Sequence, residues 1–195
     1  GITHFNDTRF GDSAHGWRRA GLTLAGKDLL KDLDKNGIII DLAHCSEQLI
    51  SDVIDMYDQG HLNRPPIVSH TGIKGSHNHR RNISDEQAIA VARAGGLIGV
   101  TFFRPALSHN SVEAVGEVIL YLIKILNGAG LEGVRHVAFG SDFDGAVRTV
   151  IDSSGWSQIT EVLIESGVPE EDIQLLMGEN VRRFFAEHLP KCLIT

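Results

Sequence analysis

Apolar positions along the chain follow two different periods. Four short runs are rich in β-branched residues, and three of them end on a polar or charged group: Ile38-Ile39-Ile40-Asp41-Leu42-Ala43-His44, Pro66-Ile67-Val68-Ser69-His70, Leu97-Ile98-Gly99-Val100-Thr101-Phe102 and His136-Val137-Ala138-Phe139-Gly140-Ser141-Asp142. Runs this short and this uniformly apolar predict buried parallel strands whose carboxyl ends carry the functional groups. Gly1 to His4 reads as the tail of a fifth. Between them the period becomes helical. Ser46 is a candidate cap for a helix to Asp58, with Leu49, Ile50, Val53, Ile54 and Tyr57 on one side. Ser84 and Gln87 form the S-x-x-Q capping box of a helix over Asp85 to Ala92, closed by Gly95-Gly96. Further helices are predicted from about Leu24 to Leu33, from near Ser111 to Gly128, and from Ser157 to Ser166. After Pro169, a final helix from Glu179 to Leu189 places Val181, Phe184, Phe185 and Leu189 on its apolar side.

Strand and helix alternate, which argues for parallel βα units with right-handed crossovers. No strand is predicted after Asp142. A closed eight-stranded βα barrel takes about 250 residues, and the chain has 195. Two architectures fit: an open doubly wound domain, or the last part of a barrel. Barrel enzymes draw their sites from the carboxyl ends of several strands, and His44, His70 and Asp142 stand at three such ends. The expected fold is therefore α/β, a (β/α)8 barrel in the parent protein. Residues 1–195 would supply its last five strands, roughly, and its C-terminal helices as one domain, with the first strands upstream of Gly1.

Composition narrows the partners. Asp and Glu number 25 against 18 Lys and Arg, for a net charge of -7, and the basic residues form no stripe, so nucleic acid is not an expected partner. No apolar run approaches the roughly 20 residues that cross a bilayer. Cys45 and Cys192 make no disulfide framework and no metal-ligand spacing. Compartment stays open, as does homodimer formation.

The chemistry-bearing residues concentrate at the predicted strand ends. His44 and His70 would project from one edge of a parallel sheet, close enough to share an ion; ordinary core or turn histidines are the alternative. Asp41 either orients one of these rings or caps backbone. Asp142 and Asp144 flank Phe143; a carboxylate at this edge is either a metal ligand, a general acid and base beside a metal, or the side chain of an Asx turn after the strand, and composition alone does not choose. Arg80 and Arg81 lie in a loop over the same face, where an Arg is either a carboxylate clamp or a solvated surface group. Phosphate-loop, dinucleotide-binding and serine-elbow motifs are absent from the sequence.

Taken together, Gly21-Leu22-Thr23, Asn36-Gly37 through Ser46, Pro66 through His70, Arg80-Arg81-Asn82-Ile83-Ser84-Asp85, Gly140-Ser141-Asp142-Phe143-Asp144-Gly145 and Gly178 through Phe184 resemble the membrane dipeptidase family of zinc-dependent peptidases. The resemblance is read as covering the C-terminal portion of that family only. It implies a (β/α)8 barrel with two zinc ions bridged by a carboxylate and a hydroxide, with His44 and His70 as ligands of one zinc. It implies that His4 contacts the scissile group, that Arg81 grips the substrate's terminal carboxylate, and that Asp142 transfers the proton. The family's remaining ligands would lie upstream of Gly1, so a missing upstream segment is an expected partner and the isolated piece is expected to be inactive. The implied substrate is a dipeptide, with tolerance of a D-residue on its carboxyl side. Two other readings remain open: another metal-dependent amidohydrolase acting on an N-acyl amino acid or cyclic amide, and a non-catalytic βα structural or binding domain.

Overall fold

The structure, a computed structural model, describes residues 1–18 and 20–190; Cys192 and the tail Lys191 to Thr195 lie outside the described residues. Three of the predicted strands form: β1 (Val68–Thr71), β2 (Ile98–Thr101) and β3 (Val137–Gly140). They make a parallel sheet in the order β1-β2-β3. The seven helices are α1 (Leu24–Lys35), α2 (Glu47–Asp58), α3 (Asp85–Arg93), α4 (Glu113–Gly128), α5 (Trp156–Glu165), α6 (Glu170–Gln174) and α7 (Asn180–His188) among the described residues, with one π turn at Leu175–Glu179 between the last two.

This corrects the expected barrel. The sheet has three strands and is open, so the described residues form an incomplete βα fold and not a closed (β/α)8 barrel. The physical reason lies in the Ile38–His44 run. Asp41 pairs with Ile67 through a single parallel bridge, and Leu42 N–H donates to Ile67 O while Ile67 N–H donates to Ile40 O. The segment turns away there, because the Asp41 carboxylate captures the Ala43 N–H at 3.0 Å in an Asx-type turn. Gly1 to His4 forms no strand at all.

Helix boundaries follow their caps closely. Ser46 accepts from Leu49 N–H to start α2, and the Ser84–Gln87 capping box starts α3 with both reciprocal bonds present. An N-cap serine contributes about 1 kcal/mol, so Ser84→Ala is expected to lower the unfolding free energy of the intact protein by that amount, read as a lower urea midpoint without change in slope. Helices α3 and α4 pack on the sheet and α2 packs against α3; their apolar faces put Leu49, Val53, Val91, Ile119 and Leu122, all fully buried, into one core. Helix α7 differs from its sequence reading: Phe184 is buried, whereas Phe185 and Leu189 are exposed. Its anchor is polar instead. Asn180 is fully buried and donates to Val134 O at 2.7 Å and Val137 O at 2.9 Å, tying the helix beneath the start of β3.

Two glycines bring the sheet's ends together. A Cβ at Gly140 would sit 2.0 Å from Ser69 O, and one at Gly99 2.1 Å from the same atom. Only glycine permits so close an approach. It sets the end of β3, and with it Asp142, against Ser69 and His70.

Candidate active site at the carboxyl end of the sheet

Backbone conformation marks two of the predicted site residues. Among the described residues the non-glycine positions with positive φ are His44 at 67° and Asp142 at 62°. His and Asp tolerate this left-handed conformation better than most side chains, and such conformations gather at functional sites. Asp142 follows the end of β3 by two residues, and His44 follows the single bridge at Asp41 by three.

The rings converge. His44 Nε2 lies 3.1 Å from His70 Nε2, and the His4 ring sits 4.2 Å from that of His44, centroid to centroid. His15, not singled out by the sequence reading, lies 6.1 Å from His44. No local motif could have pointed to it. Its loop is held by two aspartates: Asp7 accepts from the N–H groups of Ser13, Trp17 and Arg18, and Asp12 from those of Ala20 and Gly21. Behind the rings, Ser69 Oγ donates to Asp41 Oδ2 at 2.6 Å and stands 2.9 Å from His70 Nδ1.

A cavity of about 80 Å³ is lined by His4, His15, His44, Arg81, Phe103, Asp142 and Asp144, among others. A larger one, about 480 Å³, opens on the other side of the Arg80–Arg81 loop and contains neither His44 nor Asp142. The smaller one holds the reactive groups. Arg81 is only 6% exposed; its guanidinium donates to His70 O at 2.9 Å and has no ion-pair partner among the described residues. Burial pulls its pKa down to about 10, against the opposing pull of Asp142 and Asp41, so the group stays cationic at neutral pH. Arg80 is spent differently, donating to Ala14 O. The two aspartates separate in the same way. Asp144 is exposed and accepts from Ala146 N–H in an Asx turn, while Asp142 has no hydrogen-bond partner among the described residues.

Burial, reinforced by the charges of Arg81 and neighbouring imidazoles, lowers the His44 pKa to about 3. His70 is lowered as well, by burial and Arg81, with Asp142 and Asp41 opposing. Both rings are therefore neutral. The unfolded chain would protonate His44 below pH 6.5, the native one only near 3; this contribution to stability is present above 6.5 and is lost as pH falls between those values. The acid-side drop in unfolding free energy is expected to be shallower in His44→Asn, which keeps a residue tolerant of positive φ; equal slopes in wild type and variant would contradict it.

The expected zinc held by His44 and His70 is corrected by the same geometry. Among the described residues no group of three or more His, Cys, Asp or Glu side chains is placed to hold a metal ion. Structural and catalytic zinc sites take at least three protein ligands. Only two imidazoles meet here, and the nearby Asp41 carboxylate is occupied by Ala43 N–H, Ser69 N–H and the Ser69 hydroxyl. The residues do not fit a complete site.

Known proteins resemble this chain in sequence or in fold. An uncharacterized dipeptidase of Schizosaccharomyces pombe is 28% identical over 188 residues, covering 93% of this chain and 44% of its own length. A metallo peptidase from Rhodobacter sphaeroides, solved with a phosphinate mimic of the dipeptide L-Ala-D-Ala, superposes with a TM-score of 0.77 at 25% identity over 92% of this chain and 50% of its own. An amidohydrolase from Pseudomonas aeruginosa shares the fold, with a TM-score of 0.79 at 24% identity over 94% of this chain and 62% of that one. The chain thus spans less than two thirds of each. The sequence pattern that defines the membrane dipeptidases matches residues 1–189. That match runs over nearly the whole chain and overturns the reading of a resemblance confined to a C-terminal portion. The chain belongs to the membrane dipeptidase family, peptidase family M19.

Proposed function

We propose that the protein is a metal-dependent hydrolase of peptide or amide bonds, and that its substrates are dipeptides ending in a free carboxylate. The observation that carries the substrate class is Arg81: a buried guanidinium without a carboxylate partner, in the wall of a cavity that also holds Asp142. An unpaired buried charge is costly, and a ligand carboxylate gripped by the planar fork offsets that cost.

The chain's own residues divide the work. Arg81 binds the terminal carboxylate and so fixes the scissile bond relative to Asp142. Asp142 accepts the proton of the attacking water and returns it to the leaving amine, which needs its oxygens within about 3 Å of both. His4, at the exposed rim of the cavity, donates an N–H to the oxygen on which negative charge develops. His44 and His70 form the neutral wall behind His4. No step is assigned to a metal, because the described residues do not complete a metal site; for the same reason the isolated 195-residue chain is expected not to turn over dipeptides. The D-residue in the mimic bound by the Rhodobacter sphaeroides relative supports tolerance of a D-residue on the carboxyl side.

The test is a substrate panel on the intact protein: L-Ala-L-Ala, L-Ala-D-Ala, the amidated dipeptide and an N-acetyl amino acid, each with and without chelator. Chelator-sensitive cleavage of the two free-acid dipeptides, with the amide poor, is the expected pattern. Turnover of the N-acetyl amino acid without dipeptide cleavage would move the protein to the other amidohydrolase class.

A further inference from the structure

Strand β1 is irregular where it meets the site. Val68 pairs with Ile98 and Thr71 with Val100, so three steps along β1 oppose two along β2, an extra residue at Ser69–His70. Neighbouring strand residues normally face opposite sides of a sheet; a bulge re-aims one of them. Here Ser69 and His70 come to share a hydrogen bond, with Ser69 Oγ 2.9 Å from His70 Nδ1.

The direction of that bond follows from the next partner. Asp41 Oδ1 accepts the Ala43 and Ser69 N–H groups at 3.0 and 2.9 Å, leaving Oδ2 for the Ser69 hydroxyl at 2.6 Å. A carboxylate only accepts, so the hydroxyl proton points to Asp41. The lone pairs of Ser69 Oγ then face His70 Nδ1, which must be the donor. In a neutral imidazole the other nitrogen carries no proton, so Nε2 presents a lone pair toward the cavity side, where His44 Nε2 lies 3.1 Å away.

We propose that Ser69 is a positioning residue: clamped by Asp41, it accepts the Nδ1 proton of His70 and so fixes both the ring orientation and the tautomer that turns the Nε2 lone pair toward His44. The two readouts below are separable. The tautomer is independent of what the protein hydrolyses; the kinetic arm alone rests on the hydrolase reading.

The experiment is nitrogen NMR of the intact protein labelled at histidine, in wild type, Ser69→Ala, Ser69→Thr and Asp41→Asn, together with kcat on L-Ala-D-Ala. Wild type is expected to show His70 protonated at Nδ1 and bare at Nε2. Ser69→Ala should shift the ring toward the Nε2-protonated form and lower kcat, and Ser69→Thr, which keeps the hydroxyl, should restore both. Asp41→Asn makes a sharper demand. Its amide can donate to Ser69 Oγ, which turns the hydroxyl proton onto His70 Nδ1 and inverts the tautomer. A wild-type His70 protonated at Nε2, or a tautomer unmoved in both Ser69→Ala and Asp41→Asn, would overturn the assignment. The predicted tautomers without any dipeptide cleavage would leave Ser69 in its role and remove the hydrolase reading instead.

Discussion

Replacing Asp142 by Asn is expected to lower kcat on a dipeptide by roughly 100-fold or more, the usual cost of losing a general acid–base group, while KM changes little. Asn is the informative substitution. Asp142 has φ of 62°, a conformation that Asn adopts readily and Ala does not, so an alanine variant would mix backbone strain with lost chemistry. The carboxylate is free of hydrogen-bond partners among the described residues and lines the cavity beside Arg81 and His4. Asp144 provides the control within the same turn, since its carboxylate already accepts Ala146 N–H at 3.1 Å on the exposed side. Asp144→Asn should cost only a few-fold, about 1 kcal/mol or less. A larger loss at Asp144, with Asp142→Asn still active, would exchange the two roles.

How much of this was legible in the sequence depends on the range of the interaction. Strands β1, β2 and β3 and the caps at Ser46 and Ser84 were legible because β-branched runs and S-x-x-Q spacing act within a few residues. The Ile38–Ile40 run misled for a specific reason. Its apolar pattern suits a strand, but the Asp41 side chain outcompetes the ladder by bonding Ala43 N–H and Ser69 N–H. The expected barrel failed for a related reason: closure is a pairing of distant strands that short-range pattern does not encode, and the described residues form an open sheet of three strands. At the site, the strand-end pattern singles out His44, His70 and Asp142, and the His44 and His70 rings do come within 3.1 Å of each other, yet nothing in the order of residues signals a positive φ at His44 or an extra residue in β1. Those two features decide which nitrogens meet. Arg80 and Arg81 were equivalent as letters; 6% exposure for one and a bond to Ala14 O for the other separate them.

The second large effect is expected at Arg81. Arg81→Ala should lower kcat/KM for free-acid dipeptides by on the order of 100-fold, about 3 kcal/mol, the upper range for a hydrogen bond to a charged group. Part of any loss could be structural, because the guanidinium also holds His70 O at 2.9 Å. Two comparisons separate the parts. An amidated dipeptide offers no carboxylate, so its kcat/KM should already be low in wild type and should fall little further in Arg81→Ala. Arg81→Lys keeps the charge but loses the planar fork, and Lys pays a larger desolvation cost in so buried a position; it should recover only a minor share of the free-acid activity. The ratio of free-acid to amide kcat/KM is therefore the decisive quantity, high in wild type, intermediate in Arg81→Lys and near one in Arg81→Ala. A ratio that stays at its wild-type value in Arg81→Ala would mean that the arginine serves only to brace the carbonyl of His70, and the substrate carboxylate would then have to be held elsewhere.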